Sequence, residues 1–328
     1  MYTIAPAQQN IADSLLHQGY QRQYMVHLPP GFSTDTVNPA VFTLHGGRGN
    51  YLKIQGFTQM NRVSNQHGFI AVYPQGIGSV PPGYSWADGR GTTADQAGID
   101  DVGFLSELID KLAADFAIDT NRVYVCGFSN GGFMTQRLAC ALSDKFAAFG
   151  GLGCSMDTAL YVSCNPSRPV PMMYVAGKQD PEVPYEGGTM TNPAVNPIVP
   201  VDSAVQFWVN HNNCSNPQPE IDIPNTVQDD HSTVKLYNYT GCDANAHVRF
   251  FKVLNGGHTW PGVVVPNMED LLGETNEDMH ASVQLWQFFK QYRLDSTATG
   301  ITNNPQSTTS VRMYPNPATN VVHVITTR

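Results

Sequence analysis

The segment Gly127-Phe128-Ser129-Asn130-Gly131 places a serine with a glycine two positions away on either side, after a strand-like stretch at 123–126 and before a helical one. In that setting G-x-S-x-G forms a sharp turn that holds the serine in a strained conformation, with its hydroxyl exposed at the amino end of a helix. A serine hydroxyl is a weak nucleophile at neutral pH; it needs a base within hydrogen-bond reach, and that base needs a carboxylate to orient it. Gly256-Gly257-His258-Thr259 puts a histidine in a glycine-flanked loop directly after a strand, so His258 is the candidate base. The remaining histidines fall at surface or strand positions where solvated or packed roles are the default, and His45 is read as structural. The candidate acid is Asp180, in the turn Gly177-Lys178-Gln179-Asp180-Pro181-Glu182, with Glu182 as its rival. Asp100 and Asp101 open a helix, where a carboxylate is favourable for reasons unrelated to catalysis.

Acyl transfer also needs N–H donors aimed at the developing oxyanion, one from the residue after the nucleophile and one from the loop after an early strand. Asn130 supplies the first. The loop His45-Gly46-Gly47-Arg48-Gly49 supplies the second, through Gly47 or its neighbour Arg48. The chain order serine, aspartate, histidine matches that of α/β-hydrolases. No phosphate-binding G-x-x-x-x-G-K-[ST], C-x-x-C pair, H-E-x-x-H or calcium loop occurs, so neither a metal nor another cofactor is expected.

Strands are expected at 23–28, 40–44, 69–73, 122–126, 170–176 and Val248–Leu254, alternating with helices at Asp101–Phe116, 132–142, 202–210 and 281–292. Strands separated by helices of this length imply βαβ units, hence an α/β fold with a mainly parallel sheet and helices on both faces. Ligands of such sheets bind beyond the carboxyl ends of the strands, which is where the loops after positions 44, 73, 126, 176 and 254 lie. After 294 the polar stretch DSTATGITNNPQSTTS reads as a flexible linker over 295–310, so the catalytic domain is expected to span 1–294.

The 328 residues include 41% hydrophobic and 14% charged, enough for a large core and too few charges for a coiled coil. Net charge is −9 with no basic run, which argues against nucleic acid or an anionic membrane as partner. No apolar run reaches the ~18 residues that argue for a membrane span. Six cysteines suggest an exported protein. Disulfides are expected between Cys154 and Cys164, ten positions apart in a loop, and between Cys214 and Cys242, which bracket a polar insertion; Cys126 and Cys140 are expected to be buried free thiols. Trp86 and Trp260, which flank the site in sequence, are candidates for an aromatic wall against a sugar or phenolic ring, and Tyr185 for the cleft lining.

Taken in order, LHGGRGN, YPQG, SWADGR, IDDVGF, VYVCGFSNGG, GKQDPEVPYEGG and GGHTWPG resemble the polyhydroxybutyrate depolymerase/feruloyl esterase group of secreted α/β-hydrolases, related to the family-one carbohydrate esterases. The resemblance runs from Gln21 to about Tyr292 and implies an α/β-hydrolase fold and ester hydrolysis through an acyl-enzyme, with Ser129 as nucleophile, Asp180 as acid and His258 as base. Two positions depart from the group's pattern: Ala176, where histidine is common, and Gln75, where aspartate is common. The substrate so implied is a polymeric ester, either feruloyl or acetyl groups on plant polysaccharide or a polyester such as polyhydroxybutyrate. A non-catalytic polysaccharide-binding protein on a hydrolase scaffold is the reading from another class. The tail 311–328, with YPNPATN before a valine-rich strand, resembles the start of a type IX secretion sorting domain, which implies a secreted or cell-surface bacterial protein whose tail is read by the secretion machinery.

Overall fold

The computed structural model describes residues 8–80, 83–190, 192 and 194–294. The expected linker at 295–310 and sorting segment at 311–328 lie outside the described residues. Strands β1 (Gln9–His17), β2 (Tyr20–Leu28) and β3 (Asn38–Leu44) lead into helices α1 (Tyr51–Thr58) and α2 (Met60–His67). Next come β4 (Ile70–Pro74), the hairpin β5 (Gly78–Val80) and β6 (Gly83–Ser85), and helices α3 (Thr93–Gln96) and α4 (Asp101–Phe116). The centre is β7 (Ile118–Phe128), α5 (Asn130–Ala141), β8 (Ala148–Leu152), α6 (Thr158–Ser163), β9 (Met172–Gly177) and α7 (Val201–His211). The chain continues through β10 (Asn216–Pro217), β11 (Ile221–Asp222), β12 (Thr233–Thr240), β13 (Val248–Leu254), α8 (Glu269–Leu272) and α9 (Ala281–Phe289).

Apart from the β5–β6 hairpin, the strands form one sheet in the order β1-β2-β4-β3-β7-β8-β9-β13-β12-β10, with β11 also pairing β12. The run β4-β3-β7-β8-β9-β13 is parallel, and antiparallel ribbons extend it at both edges. Its strands are buried on both faces, as parallel strands covered by helices must be. Phe42, Val125 and Tyr174 pack toward one core with α4, α5 and α7; Val41, Tyr124 and Met173 pack toward the other with α2 and α9.

Strand β8, AFGGL, escapes a hydrophobic-period reading because it carries Gly150 and Gly151. A Cβ at 150 would sit 2.3 Å from Leu285 of α9, and one at 151 would sit 2.7 Å from the Gln136 amide of α5, so helices press on this strand from both sides. Strand β1 escapes it for the opposite reason, being an edge ribbon with mostly exposed residues.

The cysteine pairing differs from the expected one. Cys140 pairs with Cys164, and Cys154, expected to partner Cys164, is a buried thiol like Cys126. Helix α5 carries Cys140 to the end of α6, where Cys164 is the C-cap, while Cys154 turns inward to fill the space over Gly132 and Gly151. Cys214–Cys242 forms as expected. Each bridge restricts the unfolded chain by about 2–4 kcal/mol. Reductant is therefore expected to lower the melting temperature by several degrees, an effect that Cys154→Ser leaves intact and Cys140→Ser reduces; the reverse pattern in thermal melts would reject this pairing.

Candidate active site

Strand β7 ends at Phe128, and Ser129 turns into α5 with φ 55° and ψ −120°, a left-handed backbone on a non-glycine residue. The flanking glycines are required by contact: a Cβ at Gly127 would lie 2.1 Å from the Gly131 carbonyl oxygen, and one at Gly131 would lie 2.4 Å from that of Leu44. Ser129 N–H is held by the Leu152 carbonyl at 2.9 Å, so β8 fixes the turn.

Beside it, His258 and Asp180 meet. Nδ1 of His258 lies 2.7 Å from Asp180 Oδ2, and both side chains are almost fully buried. Asp180 Oδ1 accepts the N–H groups of Glu182 and Val183 at 2.8 and 2.7 Å, which locks the carboxylate and leaves Glu182 serving this turn through its backbone. The two loops can approach because Gly177 faces Gly256 and Gly257; a Cβ on Gly177 would come within 2.3 Å of both carbonyl oxygens. His258 in turn reaches the elbow through Phe128, whose ring centre is 4.6 Å away, and through Gly153, where a Cβ would lie 3.2 Å from the imidazole. With Nδ1 donating to a carboxylate, Nε2 is the nitrogen left to accept a hydroxyl proton. The rival carboxylates are occupied elsewhere: Asp100 caps α4 through the Gly103 N–H, and Asp101 pairs with Arg22 and accepts from Ala87 N–H.

The Gly46–Gly47 loop lies over this elbow. A Cβ on Gly46 would sit 3.3 Å from Ser129 Cβ, and one on Gly47 would sit 3.8 Å from Asn130 Cβ. His45 shapes the loop. Its Nδ1–H donates to the Gly46 carbonyl at 2.8 Å, while Nε2 accepts from Gly76 N–H and the Gln75 amide, both at 3.0 Å. Because a trans peptide sets N–H opposite C=O, pinning that carbonyl aims Gly47 N–H away from His45.

These bonds require a neutral ring, and burial, reinforced by the nearby Arg22 charge and opposed by the Gly46 bond, pushes His45 down to about 4. The unfolded chain, with histidine near 6.5, therefore binds the extra proton first. Stability contributed here is complete above about pH 6.5 and is lost as pH falls toward 4, by about 3 kcal/mol. Melting temperatures across this range should fall less steeply for His45→Gln, whose amide preserves both kinds of bond without titrating; parallel profiles would contradict the assignment.

Trp86 and Trp260 do not form an aromatic wall. Both are fully buried: Trp86 braces the loop from beneath, donating Nε1–H to the His45 carbonyl at 2.9 Å, and Trp260 donates to Ser282 Oγ at 3.1 Å. An indole flanking the site in sequence is drawn into the core by its large apolar area once its N–H finds a partner. Tyr185 is likewise buried, its hydroxyl on Asp202 at 2.6 Å.

Asp88, Arg90, Tyr84 and Phe57, none of them assigned a role from sequence, lie near the turn at Ser129. Asn130 is held by Trp86 N–H at 2.8 Å and by Asp88 at 2.6 Å, and Asp88 is itself paired with Arg90, which stacks on Phe133. Tyr84, 42% exposed, is the surface aromatic next to the loop, its N–H bonded to Gly49. A narrow groove beside His258 is lined by Phe57, Val265, Met268 and Leu272. The SWADGR stretch signalled Asp88 and Arg90 only as part of a pattern, and nothing in sequence spacing signals Phe57 or Tyr84.

Residues 22–164 match the family model described as esterase PHB depolymerase. Among curated proteins, a bifunctional acetylxylan esterase/xylanase of Neocallimastix patriciarum is 25% identical over 91% of this chain and 37% of its own length. Feruloyl esterase B of Piromyces equi is 27% identical over 72% of this chain and 42% of its own. The chain thus spans about two fifths of the length of these relatives. Among solved structures, an acetyl xylan esterase from Aspergillus awamori superposes with a TM-score of 0.54 at 15% identity, over 81% of this chain and 98% of that one. The chain has an α/β-hydrolase fold, and its sequence is similar to those of acetylxylan and feruloyl esterases.

Proposed function

We propose that this protein is a secreted serine esterase that removes feruloyl or acetyl groups from plant polysaccharide. The observation that carries the reading is the strained Ser129 at the β7–α5 turn, next to a buried His258–Asp180 pair. In this scheme Ser129 Oγ attacks the ester carbonyl carbon while His258 Nε2 takes its proton. Asn130 and Gly47 N–H groups receive the oxyanion, the imidazolium held by Asp180 protonates the departing alcohol, and an acyl-serine forms. Water then attacks that ester, its proton passing through His258 back to Ser129 as the acid leaves. Asn130 at the start of α5 is suited to its part because the first N–H groups of a helix lack intrahelical partners.

Export is supported by the two disulfides, which persist in oxidising compartments. Among the described residues no helix is long and apolar enough to cross a membrane. A polyester depolymerase is the second reading, favoured by the description of the matched family model. Product release from methyl ferulate, acetylated xylan and polyhydroxybutyrate film decides between them. Ferulate or acetate release supports the polysaccharide reading, hydroxybutyrate alone supports the second, and silence on all three favours a binding protein on a hydrolase scaffold.

A further inference from the structure

We propose that the groove between the β10–β11 ribbon and the amino-terminal part of β13 binds an acidic sugar, with Arg249 holding its carboxylate. The groove has a volume of about 650 Å³ and is lined by Gln218, Pro219, Ile221, Asn238, Thr240, His247 and Arg249. That volume is within the ~300–1,000 Å³ typical of small-ligand sites. It lies at the opposite end of β13 from the His258 loop, about 20 Å away at roughly 3.3 Å per residue, so it is separate from the candidate active site.

The Arg249 guanidinium is the cationic centre of this groove. Asn238 and Arg249 are paired across β12 and β13, and Arg249 Nε donates to Asn238 Oδ1 at 2.9 Å. That bond and the Phe288 ring, 5.5 Å away, fix the plane of the group and leave the two terminal amino groups to take a carboxylate end-on. Arg22, Arg90, Arg122 and Arg293 each pair with an aspartate. Arg249 is half-buried and pairs with no carboxylate among the described residues; the ionisable groups near it are His247 and the Tyr292 hydroxyl. In a chain of net charge −9, a cation withdrawn from water without a counter-ion marks a place for an anion from outside.

The rest of the lining specifies what carries that anion. Gln218, Asn238 and Thr240 offer amide and hydroxyl groups to sugar hydroxyls, while Pro219 and Ile221 present apolar surface to a ring face. A second attachment point on a polymer raises the local concentration of the enzyme along the chain without taking part in its chemistry. The binding stands whether or not the esterase reading does.

Calorimetric titration of the whole protein tests this with four probes: xylotriose bearing a glucuronic acid branch, unbranched xylotriose, glucuronate and acetate. The branched acid should bind, and at least about tenfold more weakly to Arg249→Gln, the size of a lost charge-assisted bond pair. Gln218→Ala, on the exposed wall, should weaken it about threefold. Circular dichroism spectra and melting temperatures unchanged in both variants show that they are folded. Equal binding of the neutral trisaccharide, acetate binding as tightly as glucuronate, undiminished binding by a folded Arg249→Gln, or no binding by the wild type at about 10 mM would each overturn the proposal.

Discussion

Ser129→Ala is expected to lower kcat for p-nitrophenyl acetate by about 10⁴-fold or more while KM changes little, because in the proposed scheme the hydroxyl forms the bond that defines the reaction whereas binding surfaces stay in place. Asp180→Asn should cost a similar factor by presenting His258 with the wrong hydrogen-bonding partner, so that the ring adopts the tautomer that cannot accept the serine proton. Glu182→Gln is the informative contrast, since Asp180 is the carboxylate bonded to His258 and Glu182 serves that turn through its backbone N–H. Its activity should stay within about twofold of wild type. A Glu182→Gln variant as impaired as Asp180→Asn, or a Ser129→Ala variant retaining more than about 1% of kcat, would reject these roles.

The largest expected loss of stability comes from Arg22→Met. Arg22 and Asp101 are both almost fully buried and form an ion pair, and Arg22 also donates to the Gln75 carbonyl at 3.1 Å. Burial lowers the affinity of Arg22 for its proton and raises that of Asp101, as expected for charges held away from water. Removing one partner strands the other, at a cost of about 3–5 kcal/mol, whereas replacing both with apolar side chains of similar volume is nearly neutral. Arg22→Met should therefore melt on the order of 10 °C lower, and Arg22→Met/Asp101→Leu should recover part of that, the rest being lost with the acceptor of the Ala87 N–H. Thermal melts in which the double variant is no more stable than the single one would show that Asp101 is not stranded. Because Gln75 bonds His45 and His45 bonds Gly46, the single variant should also lose activity through the loop over Ser129.

The elbow was legible in the sequence because its requirement is local. Two backbone segments cross within van der Waals distance at Gly127 and Gly131, and only glycine permits that, so the pattern records the geometry. Asp180 and His258 were legible for a related reason: each follows a parallel strand, and neighbouring parallel strands deliver their carboxyl-terminal loops to one edge of the sheet. The strands with continuous apolar runs were legible too, with ends shifted by a few residues; β1 and β8 were not, since one is exposed and the other carries glycines where side chains are expected.

Residue types a few positions apart, and the direction of the strands that carry them, set the α/β alternation, the turn at Ser129 and the chain order of Ser129, Asp180 and His258. Packing chose which cysteine meets Cys164, which aromatic rings stay outside, and that Arg249 meets no carboxylate among the described residues. Those outcomes depend on which helix faces which loop and on how much apolar area each ring can bury, quantities set by packing between segments far apart in the chain and not by their spacing along it.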